Sequence, residues 1–134
     1  MLVIGEAQLN RMVLADRALL VRDVQDHLTR YRPSIVAAYP AGYLRWVIGD
    51  SLDIASRFGI DDVRMLRVFV RLRWDIAPGF YKQPDIAAVL SNTALPASER
   101  FAVLGGDRYA DAWNDACRFD SPAEWRERYW QDSP

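Results

Sequence analysis

Apolar residues recur along this chain at the spacings of one helix face, and prolines and glycines cut that pattern into segments. From about Glu6 to Tyr31 the pattern is helical, with Leu20, Val21, Val24, Leu28 and Tyr31 on one side and charges on the other. A break is expected near Met12. Pro33 stops the helix, because proline lacks an amide hydrogen and restricts Arg32 before it. A second helix is expected from about Ala41 to Phe58, where Leu44, Val47, Ile48, Ser51, Ala55 and Phe58 form one stripe and Gly59 follows as a cap. Asp61 or Asp62 caps a third helix reaching about Asp75. This third segment is apolar on most sides, with Arg64, Arg67 and Arg71 as a narrow polar stripe, and is therefore expected to be central. The run VFVRLRW would also suit a strand, but the helical periodicity flanking it favours helix.

Beyond Pro78-Gly79 the segments shorten. Pro84 opens one that reaches Leu90, and Pro96 is placed at the first position of another that reaches Leu104 and ends at Gly105-Gly106. Tyr109 to Cys117 forms a further short helix, and Ser121, Pro122 and Glu124 read as the cap, first and third positions of a capping box leading into Trp125, Tyr129 and Trp130. The expectation is an all-α fold in one domain spanning 1–134: a compact bundle of about five to seven helices, three longer ones followed by shorter ones.

Composition narrows the classes of function. A hydrophobic fraction of 51% with 12% aromatics supports a packed core, and 17 basic against 18 acidic residues argue against a nucleic-acid binder. The basic set is 16 arginines and one lysine, Lys82, a skew typical of a GC-rich bacterial genome. The opening MLVIGEAQLNRM lacks the pattern of a secretory signal, and no run approaches the roughly 20 apolar residues of a membrane span. No membrane insertion and a cytoplasmic location are therefore expected. One cysteine, Cys117, and one histidine, His27, exclude an intramolecular disulfide and the common Cys/His zinc sites. Gly105-Gly106 has neither the spacing nor the lysine of a phosphate loop, so no cofactor is expected.

Candidates for chemistry are few. Asp23 stands one turn before His27 and could orient its imidazole, although a surface histidine beside a chance acid is the plainer account. The pairs Asp61-Asp62 and Asp50-Asp53 could serve acid-base work or hold a hard cation, but capping accounts for the first and a partner at Arg57 for the second. Cys117 has no neighbouring base in the sequence to activate it. The chain is thus expected to be non-catalytic and without a metal.

Binding leaves a clearer mark. Trp46 projects with Asp50, Asp53 and Arg57, away from the apolar stripe of its helix, and is the first candidate surface. Arg64, Arg67 and Arg71 are the second, suited to an acidic protein groove, with plain solvation as the competing account. Trp125, Tyr129 and Trp130 are the third: Trp, Tyr and Arg are the residue types that dominate interface energetics, although such rings also pin a last helix to its body.

Four stretches carry a family likeness: MLVIGEAQLNRM, HLTRYRP, YLRWVIGDSLDIASRFGIDDVRMLRVFVRLRWDIAP and DIAAVLSNTALPASERFAVL. Across about residues 1–105 the chain resembles small helical proteins encoded in bacterial type VI secretion effector islands, departing from them in the loop WDIAPGFYKQPD, which lacks a more acidic run. The resemblance implies an accessory protein that binds an effector, its adaptor or the spike-loading machinery, with no enzymatic activity. The alternative it implies is an immunity protein that neutralises a cognate toxin by direct binding. The oligomeric state is left open.

Overall fold

The computed structural model describes Gln8, Arg11 and residues 15–132. Met12 and the expected start at Glu6 lie outside the described residues. Among those described there are eight α-helices and three short 3-10 turns and no strand, so the fold is all-α, with more helices than the five to seven expected.

The first helix, α1 (Arg17–Tyr31), starts where Asp16 accepts a hydrogen bond from the Leu19 amide, and it buries Leu20, Val24 and Leu28. Arg32 leaves the helical region at φ −139 and ψ 58, the restriction expected before proline. Pro33 does more than stop α1. It opens a helix absent from the sequence expectation, α2 (Pro33–Ala38), because a proline that breaks one helix is well placed in the first turn of the next.

Helix α3 (Ala41–Arg57) buries Leu44, Val47, Ile48, Ser51, Leu52, Ile54 and Ala55. It ends where Gly59 takes φ 68, which lets the Ile60 amide reach back to the Ala55 carbonyl at 3.2 Å. Asp62, not Asp61, caps α4 (Val63–Asp75), accepting from the Arg64 and Met65 amides at 2.8 and 3.3 Å. Phe69 and Val70 of α4 are fully buried, and VFVRLRW is helical throughout because its neighbours are.

The shorter elements follow: a turn at Phe80–Lys82, α5 (Pro84–Leu90), α6 (Ala97–Leu104), a turn at Asp107–Tyr109, α7 (Ala110–Ala116), a turn at Pro122–Glu124 and α8 (Arg126–Asp132). Two local expectations are corrected. Pro96 is the residue before α6 rather than its first position, with ψ 153. Ser121 does not form a capping box: its hydroxyl accepts from the Ala123 amide, residues 122–124 coil into a 3-10 turn, and the Glu124 carboxylate reaches Tyr81 and Lys82 instead.

Phe69 anchors the interior, its ring 6.3, 5.1 and 5.8 Å from those of Phe58, Phe80 and Tyr81. Trp113 stacks on Phe80 and donates its indole N–H to the Leu104 carbonyl at 2.7 Å. Arg100 is buried in this shell and donates to four carbonyls, those of Phe58, Gly59, Leu90 and Leu95, so one guanidinium ties the end of α3 to α5 and α6. Among the described residues, the contiguous apolar core extends as far as Ala116 and includes none after it.

Candidate protein-binding surface

The first and third candidate surfaces meet. Helix α8 lies against α3, bringing Tyr129 to within 5.7 Å of Trp46 and 5.0 Å of Tyr43, ring to ring, both edge-on. Tyr39 stacks on Tyr43 at 5.5 Å and lies 6.4 Å from Trp74, which in turn meets Trp125 at 4.9 Å. Trp130 extends this array outward from Tyr129 and is 71% exposed. Trp46 is half-buried within the array, with the Arg128 guanidinium 5.6 Å from its ring centre.

Beneath the rings lies a charge cluster. Arg73 is fully buried and donates to Asp50 at 2.9 Å, to the Ser51 hydroxyl at 2.8 Å and to the Pro78 carbonyl at 2.7 Å. Asp50 accepts from Arg128 as well, and its side chain is only 7% exposed. Asp50 therefore does not belong to an open polar face, as its helical projection predicted, because α8 covers it. The other members of that projection, Asp53 and Arg57, are exposed, and Asp53 pairs with Arg17 at 2.8 Å. Glu124 accepts from the Tyr81 hydroxyl and pairs with Lys82, and burial pushes the Tyr81 phenol up to about 12.

The arginine stripe does not act as a unit. Arg67 forms a two-pronged pair with Asp23 at 2.8 and 2.7 Å, joining α4 to α1 and raising its own pKa through that hydrogen bond. Arg71 lies 3.7 Å from Asp75, whose carboxylate is already held by both prongs of Arg32 at 3.0 and 2.9 Å. Arg64 is exposed.

For catalysis the arrangement offers little. Asp23 accepts from Arg67 at both oxygens, so the candidate dyad with His27 is not assembled, in line with the plainer account of that pair. His27 sits in an open groove with Asp23, Asp26, Arg30, Tyr31 and Arg67, and its pKa is lowered by burial and then by the cations Arg71 and Arg67. Cys117 is exposed, its thiol facing the Trp113 carbonyl at 3.6 Å. No cluster of three or more His, Cys, Asp or Glu that could hold a metal occurs among the described residues, and no helix there is long and apolar enough to cross a membrane.

Sequence reasoning did not single out Arg73, Arg100, Tyr39 or Tyr43. The available signal for Arg73 was its position among apolar neighbours in α4, on the opposite side from the stripe of Arg64, Arg67 and Arg71. No protein-family model, curated protein or solved structure matches this chain.

Proposed function

We propose that this chain is a non-catalytic protein-binding module, acting in the bacterial cytoplasm as an accessory protein that binds an effector or its adaptor in type VI secretion. The observation that carries the binding reading is the aromatic array of Trp46, Tyr129 and Trp130 around Arg128, with Trp130 71% exposed at its rim. Large rings and arginine bury much area for little loss of side-chain freedom, which suits an interface anchor. The resemblance over residues 1–105 supports the secretion setting.

Affinity purification of the tagged chain from a host carrying the neighbouring genes tests both levels. Recovery of one adaptor, spike or effector near one-to-one, reduced by Trp130→Ala, supports the accessory reading. Recovery of a toxin whose lethality the chain relieves on co-expression assigns it instead as an immunity protein. A folded chain that retains no partner overturns the binding reading.

A further inference from the structure

Residues 118–132 are attached to the body chiefly through their side chains. Among the described residues, none after Ala116 belongs to the contiguous core, although Trp125 is itself buried; besides turn bonds from the Arg118 and Phe119 amides to the Asp115 and Ala116 carbonyls, one backbone bond reaches the body, from the Gly79 amide to the Phe119 carbonyl at 3.0 Å, and side-chain contacts do the rest. Those contacts include Glu124 with Tyr81 and Lys82, Arg128 with Asp50 and over the Trp46 ring, Trp125 on Trp74 and Arg73, and Tyr129 on Tyr43 and Trp46. The seam is also imperfectly satisfied: the indole N–H groups of Trp74 and Trp125 and the Nη2 of Arg73 are buried without an acceptor among the described residues. At the junction formed by residues 117–121, Cys117, Arg118, Asp120 and Ser121 are exposed.

We infer that residues 118–132 form an exchangeable strap, and that the face of α3 and α4 beneath it is a docking site for the same strap from a second copy of this chain. When the strap opens, Asp50 keeps its bond to Arg73 and the core keeps its packing, so the body persists with the strap-facing sides of Tyr43, Trp46, Trp74 and Asp50 released and with Lys82, already exposed, freed from Glu124. That set is matched by Glu124, Trp125, Arg128 and Tyr129, which every copy carries in one register. A short exposed tether gives the chain's own strap an effective concentration of about the millimolar order, so closure within one copy dominates in dilute solution and exchange emerges on concentration.

Hydrogen exchange on the full chain reads the opening directly. Amides of α8 are expected to exchange through openings about 100-fold more frequent than those of α3 and α4. Exchange of α8 only together with α3 and α4 would overturn the proposal. A chain lacking Asp120 and Ser121 has too short a tether to close on itself and is expected to be a helical dimer by light scattering, whereas a folded monomer with its strap docked counts against exchange. Should that variant not fold, a fluorescent peptide of residues 118–132 is titrated into the full-length Trp125→Ala chain. Saturable binding, weakened about tenfold or more by Trp125→Ala in the peptide, supports the docking site, and no binding at millimolar peptide refutes it.

Discussion

Two groups of aromatic rings share this molecule and have opposite fates. Phe58, Phe69, Phe80, Tyr81 and Trp113 are closed in among aliphatic side chains, and the Trp113 indole finds a carbonyl. Tyr39, Tyr43, Trp46, Trp74, Trp125, Tyr129 and Trp130 instead form a band that begins at the seam between α4 and the strap and ends in solvent. Ring content alone does not separate the two. What separates them is depth: Phe69 and Phe80 at the centre of the first group are fully buried, whereas the second runs outward across the C-terminal segment to Trp130, 71% exposed.

The largest expected effect breaks the first group. Phe69→Ala removes a fully buried ring with three aromatic neighbours and should destabilise the fold by about 3–5 kcal/mol in denaturant titration. Arg100→Met comes next: the side chain still fills space, but four carbonyls lose their donor, for a loss of about 2–4 kcal/mol. A change below about 0.5 kcal/mol would mean that water replaces the guanidinium without penalty.

In the second group the effect should move from stability to affinity. Trp130→Ala is expected to leave the Tm nearly unchanged while weakening partner binding by about 2 kcal/mol in calorimetry. A marked fall in Tm with unchanged affinity would move Trp130 into the first group. The smallest effect is a pH response at the edge of the molecule, where His27 faces Asp23, Asp26, Arg30, Tyr31, Arg67, Arg71 and Arg32. Its folded pKa lies below the unfolded value of 6.5, so the unfolded chain takes up the proton first as pH falls. The stability tied to His27 is therefore whole above pH 6.5, declines as pH drops from there to the lower folded value, and then levels off. His27→Asn should flatten that part of the profile, and an unchanged profile would show that carboxylates alone set the acid limb.

Local chemistry made much of the fold legible. The start of α4 follows from Asp62 accepting from amides in its own turn, the start of α5 from the ring of Pro84 suiting a first helical position, and the stop at Arg32 from the ring of Pro33. Helix α2 was not legible, because a proline that ends one helix and begins another looks the same in a sequence. The candidate surfaces were legible as residue types and not as neighbours: Trp46 and Tyr129 meet across 83 positions, and Asp50 and Arg128 across 78.

The sequence by itself determined that this chain is helical, where most helices start and stop, and which apolar stripes face inward, because capping, proline geometry and periodicity act within a few residues. Only the tertiary structure decided the fate of the arginines. Arg67 reaches Asp23, Arg73 and Arg100 go inside, and Arg128 closes over Asp50, because a guanidinium is buried only where distant segments deliver carboxylates and carbonyls to meet its donors.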